Sequence, residues 1–139
     1  MAEFKVVIGD SKTGKCKQVV VSGDNTRSLL GKKIGDKLKG ESIDMPGYEF
    51  EITGGSDYAG FPMRKDLEGP IRKQIFAVRG TGLKTIKGGD KIRKTVCGNT
   101  IHEKIVQVSL KVLKHGKDPL FAEGEAEKKK EDKKEAKKE

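Results

Sequence analysis

The sequence of 139 residues has no tryptophan, and its aromatic residues are only two tyrosines and five phenylalanines. Modules that recognise RNA by base stacking display several exposed aromatic side chains on a sheet, so this composition argues against that class. Only two cysteines occur, Cys16 and Cys97, without CxxC spacing or a companion histidine cluster. The sequence therefore indicates neither a disulfide framework nor a zinc site, and we expect both thiols in or beside the core.

Long apolar runs are also missing from the sequence. No segment approaches the ~18 apolar residues of a membrane-spanning helix, and the N-terminal apolar run is too short for a secretion signal. We therefore expect a soluble, cytoplasmic protein without a membrane partner. Glycine is abundant instead, at 18 of 139 residues, or about 13% against a usual ~7%. This abundance predicts tight turns and short elements rather than long helices.

Apolar residues predict short strands in five segments, which are residues 4–8, 19–21, 48–52, 71–79 and 105–113. For residues 71–79 a helix is the alternative. The first two enclose a polar turn and predict a β-hairpin. Gly54 and Gly55 are expected to end the third. About six short strands joined by glycine turns predict a mainly β fold, built on a small barrel-like sheet that leaves few exposed edges.

One short helix and a charged tail complete the predicted organisation. A residue among 24–26 should cap the helix, which Gly31 and Gly35 limit to about two turns. Residues 123–139 have no apolar stripe, so we expect them to be disordered or a fraying helix. The prediction is thus one β domain, residues 1–122, followed by this tail.

Positive charge is concentrated in one part of the sequence. Residues 1–63 contain nine basic and nine acidic residues, residues 64–122 contain 14 and 5, and residues 123–139 contain seven of each. Clustered cations displace condensed counterions together, so this surplus predicts a phosphate-binding face for RNA. Its densest part, residues 79–94, contains one acidic residue, Asp90, and six basic residues. The basic residues are Arg79, Lys84, Lys87, Lys91, Arg93 and Lys94.

A different function is suggested by the segment from Gly9 to Cys16, which matches seven of the eight positions of a phosphate-binding P-loop. The eighth position needs a hydroxyl that ligates magnesium, and Cys16 supplies a soft sulfur instead. A P-loop also opens a helix, whereas residues 17–21 read as a strand. We therefore predict a hairpin turn, no enzymatic activity and no cofactor. A nucleotide-binding enzyme remains a minor alternative.

Two motifs and the last predicted strand resemble a known family. Residues 54–63 read Gly-Gly-Ser-Asp-Tyr-Ala-Gly-Phe-Pro-Met, and residues 89–101 read Gly-Asp-Lys-Ile-Arg-Lys-Thr-Val-Cys-Gly-Asn-Thr-Ile. With the strand at 105–113, they closely resemble the archaeal form of the sixth small-subunit ribosomal protein shared by archaea and eukaryotes, over residues 3–115. The resemblance implies a β-rich structural constituent of the small ribosomal subunit that acts in translation.

The resemblance also implies partners and a binding face. The partners are ribosomal RNA of the small subunit and neighbouring ribosomal proteins, without a small-molecule substrate, and the basic face lies in residues 64–117. A free nucleic-acid chaperone that uses the same face is the alternative. Gly54 and Gly55 are expected to allow backbone conformations that a side chain would obstruct, and Arg64 to project towards phosphate. The predicted RNA-contacting residues are Gly54, Gly55, Arg64, Lys65, Arg72, Lys73, Arg79, Lys84, Lys87, Lys91, Arg93, Lys94 and Asn99.

Overall fold

A computed structural model describes residues 3–84, 88–117 and 120–121. These residues form one α-helix, α1 (Asp24–Leu29), a short 3-10 helix (Gly40–Ile43) and seven strands. The predicted mainly β fold with one short helix is confirmed. The predicted tail and the boundary at residue 122 lie outside the described residues. The strands are β1 (Phe4–Gly9), β2 (Cys16–Val21), β3 (Lys37–Lys39), β4 (Glu49–Asp57), β5 (Arg72–Ala77), β6 (Ile92–Cys97) and β7 (Ile105–Lys114).

Five of these strands form one sheet in the order β2-β1-β7-β4-β3. The predicted hairpin of β1 and β2 is confirmed, with Phe4 opposite Val21 and Gly9 opposite Cys16. β7 pairs in parallel with β1 and antiparallel with β4, so the last strand in the chain lies at the centre of the sheet. β5 and β6 form a separate antiparallel pair.

The core lies on one face of the five-stranded sheet, because apolar side chains alternate with polar ones along its strands. The rings of Tyr48 and Phe50 stack within this core, with centroids 5.8 Å apart. Complete burial of one such apolar side chain contributes about 1.5–3 kcal/mol to the free energy of unfolding. Residues with no solvent exposure include Phe4, Val6, Ile8, Leu29, Phe50, Ile52 and Val108.

β4 is longer than the sequence predicted, because Gly54 and Gly55 do not end it. Ile52 pairs with Leu110 and Gly54 pairs with Ser109, which leaves Thr53 as an extra residue in a β-bulge. The bulge reverses which alternate residues face the core: Ile52 is fully buried before it, and Asp57 is buried after it. The strand thus carries a carboxylate into the interior at its end.

The start of α1 differs from the prediction. The residue at the cap position is Gly23, and no side chain from residues 24–26 caps the helix. The Thr26 hydroxyl donates instead to the Gly23 carbonyl oxygen, at 2.6 Å. The helix is anchored by burial of Thr26 and Leu29, so packing rather than a capping side chain holds this short element.

Candidate nucleic-acid interface

The antiparallel pair of β5 and β6, called the basic ribbon below, contains no acidic residue in its twelve positions. Its twelve residues include four cations, Arg72, Lys73, Arg93 and Lys94. Between Arg72 and Cys97 the sequence has eight basic residues and one acidic residue, so this segment carries a net +7 of the total +9. The ribbon strands and the segment between them in the sequence thus carry most of the surplus charge.

The segment Phe61–Arg64 connects the ribbon to the main sheet through its backbone. The Met63 amide donates to the Gly55 carbonyl oxygen of β4 at 2.9 Å. On the other side, the Cys97 amide donates to the Pro62 carbonyl oxygen at 2.9 Å, and the Arg64 amide to the Cys97 carbonyl oxygen at 3.0 Å. Because these bonds run from β4 to β6, the ribbon is held at its Cys97 end.

A buried carboxylate strengthens this attachment. The Asp57 side chain is 1% exposed and accepts hydrogen bonds from the Ala59 amide at 2.6 Å and from the Arg72 Nε at 2.9 Å. The Arg72 Nη2 also donates to it, and so does the Cys97 Sγ at 3.2 Å. The Arg72 guanidinium lies 4.9 Å from the ring centroids of both Tyr58 and Phe61. Six residues from three segments therefore meet at one joint.

The ionisation of this joint follows from its contacts. Burial acts to raise the pKa of Asp57, but hydrogen bonds from the Ala59 amide, Arg72 and Cys97 and the Arg72 charge outweigh it, and the pKa lies below its usual value. Burial, followed by the neighbouring Asp57, raises the pKa of the Cys97 thiol to about 11. At neutral pH the joint thus holds a carboxylate, a guanidinium and a neutral thiol.

The basic ribbon has two faces, defined by the pairing of Arg72 with Cys97 and of Ala77 with Ile92. The Phe76 face consists of Arg72, Gln74, Phe76, Arg93, Thr95 and Cys97. The Lys94 face consists of Lys73, Ile75, Ala77, Ile92, Lys94 and Val96. A turn at Gly80–Gly82 lies close to the Lys94 face, since a Cβ on Gly82 would be 3.2 Å from the Val96 Cγ1.

Comparison with known proteins identifies the family of this fold. Residues 4–123 match the family model described as Ribosomal protein S6e. The chain belongs to the S6e family. A relative from Archaeoglobus fulgidus, named small ribosomal subunit protein eS6, is 47% identical over 85% of this chain and 92% of its own length. Relatives of the same name from Nanoarchaeum equitans and Methanocaldococcus jannaschii are 44% and 43% identical, over 84% and 86% of this chain and 85% and 89% of theirs.

Membership of the S6e family confirms two predictions from the sequence. The chain is a ribosomal protein and not an enzyme, and its place is in the cytoplasm as part of the ribosome. Within the ranges given above, no helix is long and apolar enough to cross a membrane, and no cluster of side chains could hold a metal ion.

The turn that resembles a P-loop is a hairpin turn in this S6e protein. The Asp10 carboxylate accepts hydrogen bonds from the Lys12 amide and the Thr13 hydroxyl, both at 2.9 Å. Gly14 adopts φ 68°, and Cys16 begins β2 rather than a helix. The Asp10 carboxylate thus accepts from donors that a P-loop would offer to a phosphate. Cys16 is exposed and Cys97 is buried, so the prediction that both thiols lie in or beside the core is confirmed for Cys97 and wrong for Cys16.

Six predicted cations of this S6e protein are exposed and have no ion-pair partner among the described residues. Lys65 is also exposed. Lys87 lies outside the described residues. Free, solvated cations are the ones that can exchange counterions for RNA phosphates, so the structure leaves these side chains available for binding. The six are Lys73, Arg79, Lys84, Lys91, Arg93 and Lys94.

Other predicted contact residues hold the S6e fold together. The Arg64 guanidinium does not project into solvent: it pairs with Asp66 at 2.7 Å and donates to the Thr81 carbonyl oxygen at 3.3 Å. Arg72 binds the buried Asp57. Asn99 is buried, and its Oδ1 accepts from the Gly69 amide at 3.3 Å. We leave these three side chains out of the interface proposed below because their polar groups are engaged within the protein.

The two glycines of the S6e motif are not equivalent. A Cβ on Gly55 would lie 2.3 Å from the Gln107 carbonyl oxygen of β7, so a side chain would separate the two central strands. A Cβ on Gly54 would have no neighbour within 4 Å. Steric obstruction was expected at both positions, and the structure contradicts it for Gly54. The motif builds the sheet and the ribbon joint rather than a glycine-rich phosphate loop.

Sequence reasoning missed one exposed residue of the ribbon. The Phe76 side chain is 64% exposed, although the low aromatic content argued against aromatic recognition. Phe76 stands between Ile75 and Ala77, so no alternation of apolar and polar residues distinguishes it from a core residue. Only its pairing with Arg93, in the middle of a basic strand, gives a signal of exposure.

Proposed function

We propose that this small-subunit ribosomal protein binds ribosomal RNA through the basic ribbon and its connecting turn. The observation that carries the proposal is the row of exposed cations without ion-pair partners among the described residues, on an element without an acidic residue. Family membership supports ribosomal RNA as the ligand, because the relatives are named small ribosomal subunit proteins. Neighbouring ribosomal proteins are further partners in the same assembly.

The shape of the ribbon favours contact with the RNA backbone. Cations lie on both of its faces, with Arg93 on one and Lys73 and Lys94 on the other. A two-stranded ribbon held at one end can enter a groove and contact phosphates on either side of it. Arginine adds bidentate phosphate contacts, whereas lysine acts as a point charge. Phosphate contacts should therefore supply most of the affinity, which makes binding dependent on salt.

Salt dependence gives a direct test. Filter binding of small-subunit ribosomal RNA at several salt concentrations is expected to give a slope that falls by roughly one unit for each of Lys73→Gln, Arg93→Gln and Lys94→Gln. The matched controls are Lys37→Gln and Lys39→Gln, which remove exposed lysines from β3, an edge strand of the main sheet outside the ribbon. The controls should keep the wild-type slope. Equal losses in both sets would refute the assignment to the ribbon.

Stoichiometry tests the role in the assembled subunit. We expect one copy of the protein per small subunit after sedimentation. The variant that combines Lys73→Gln, Arg93→Gln and Lys94→Gln should show a reduced copy number. A variable excess of protein over subunits would indicate a free nucleic-acid chaperone instead.

A further inference from the structure

The Phe76 face of the ribbon places an exposed aromatic ring among cations. Phe76 pairs directly with Arg93, and the Lys91 Nζ lies 5.9 Å from the centroid of the Phe76 ring. Paired residues in an antiparallel ribbon project to the same side, about 4.5–5.5 Å apart at their Cβ atoms. The Arg93 side chain therefore leaves β6 on the same face as the ring.

The next pair along this face adds hydrogen-bonding groups. Gln74 pairs with Thr95, two positions from Phe76 and Arg93, which corresponds to about 7 Å along each strand. Gln74 is exposed and Thr95 half-buried. An amide and a hydroxyl at this distance can reach the edge of a base that rests on the ring, while the cations reach its flanking phosphates.

The opposite side of the ribbon does not offer such a platform. Ile75 and Ala77 are half-buried, Val96 is fully buried with Gly82 packed against it, and the exposed apolar residue of this face is the aliphatic Ile92. Phe76 shares its face with Arg72 and Cys97 of the joint but lies four residues from Arg72 along β5, where its ring is exposed. An exposed phenylalanine costs hydrophobic free energy unless a partner covers it.

We infer that Phe76 stacks on an unpaired base of the RNA, with Arg93 and Lys91 on the adjoining phosphates. This inference rests on the proposed function and names the part of the RNA that the ribbon recognises. Unpaired RNA offers an exposed π-face and nearby negative charge, which fits an aromatic ring flanked by cations. A protein partner would need an acidic surface to match the same cations.

Binding measurements on single-stranded and duplex RNA separate stacking from charge. Phe76→Leu keeps an apolar side chain of similar size and should weaken binding of a mixed-sequence single-stranded 12-mer by about fivefold or more, because stacking of one base contributes ~1–3 kcal/mol. The salt slope should stay unchanged, since no cation is lost. Binding of the matching duplex should change less than twofold. Thermal unfolding of Phe76→Leu checks that the variant folds.

A tryptophan probe tests the contact itself, because the chain has no other tryptophan. Phe76→Trp should show saturable fluorescence quenching by the single-stranded RNA as a base stacks on the indole. The matched control is Ile92→Trp, which places the probe on the Lys94 face of the same ribbon, where the wild-type side chain is 39% exposed. Quenching of the control should be weak.

The outcomes distinguish this inference from the proposed function. If Arg93→Gln weakens RNA binding and Phe76→Leu does not, the ribbon binds RNA and the stacking contact is refuted. If neither variant affects binding, both proposals fail. If Phe76→Leu binds free RNA normally but no longer enters small subunits, Phe76 contacts a protein, and the inference is overturned.

Discussion

Replacement of Arg72 by glutamine tests how far the joint with Asp57 stabilises the protein. The change leaves the Asp57 carboxylate, which is 1% exposed, with donors only from the Ala59 amide and the Cys97 thiol. Removal of one partner of a buried ion pair costs about 3–5 kcal/mol. The Arg72 side chain is 33% exposed, so water can partly solvate the vacated space, and we expect a loss of about 2–3 kcal/mol.

Urea unfolding followed by far-ultraviolet circular dichroism measures this loss of unfolding free energy. In a thermal scan, the melting temperature should fall by roughly 8–12 °C. The matched control is Arg27→Gln, because Arg27 pairs with Asp24 at 3.2 Å while the two side chains are 82% and 90% exposed. Such a surface pair contributes about 0–0.5 kcal/mol. If Arg72→Gln and Arg27→Gln destabilise the protein equally, the buried carboxylate does not anchor the ribbon.

The pH dependence of protein stability tests the Asp57 carboxylate of the same joint. The pKa of Asp57 is lower in the folded protein than in the unfolded chain, so its stabilising contribution is fully present above the unfolded value of about 3.9 and is lost as the pH falls through the folded value. The stability difference between wild type and Asp57→Asn should therefore shrink below about pH 4. A difference that is constant from pH 7 to pH 2 would contradict this assignment.

Three further predictions concern other residues. Gly55→Ala should destabilise the protein by about 1–3 kcal/mol in urea unfolding because its Cβ would meet the Gln107 carbonyl oxygen, whereas Gly54→Ala should change stability by less than about 1 kcal/mol; equal effects would rule out the close strand approach. A thiol reagent at pH 8 should modify Cys16 rapidly and Cys97 only after unfolding, as mass spectrometry of digested protein can check. Amide relaxation of the free protein should show residues 80–84 and 88–90, which lie between β5 and β6, to be more mobile than β1 and β7; equal rigidity would mean that the fold itself sets their conformation.

Simple alternation made most of the main sheet predictable. Residues 4–8, 48–52 and 105–113 alternate because one face is buried and the other is solvated, and all of them except Tyr48 lie in strands. β3 was not singled out, since its three residues place Leu38 alone in the core. The length of β4 was wrong because the bulge at Thr53 depends on pairing with β7, which no local pattern encodes.

The sequence was sufficient to locate the positively charged segment, but not to tell which of its cations are exposed. Composition located the cations, and the exposed ones remain candidates for RNA contact. What sequence could not supply was the pairing that places Asp57 beside Arg72 and Cys97, fifteen and forty residues further along the chain. A buried ion pair and a free cation look alike in one sequence, so Arg64 and Arg72 were grouped with the solvated cations.

The central position of β7 delays folding of the main sheet until late in synthesis of the chain. During translation, β1 is the first of the described strands to be synthesised and β7 is the last. The two strands nevertheless pair in parallel, and β4 also pairs with β7. Until residue 114 has emerged, the β1–β2 hairpin and the β3–β4 pair expose their apolar faces and unpaired edges. Folding therefore completes only after nearly the whole β domain has been synthesised, and a nascent chain that stops before residue 105 leaves aggregation-prone apolar faces and strand edges exposed.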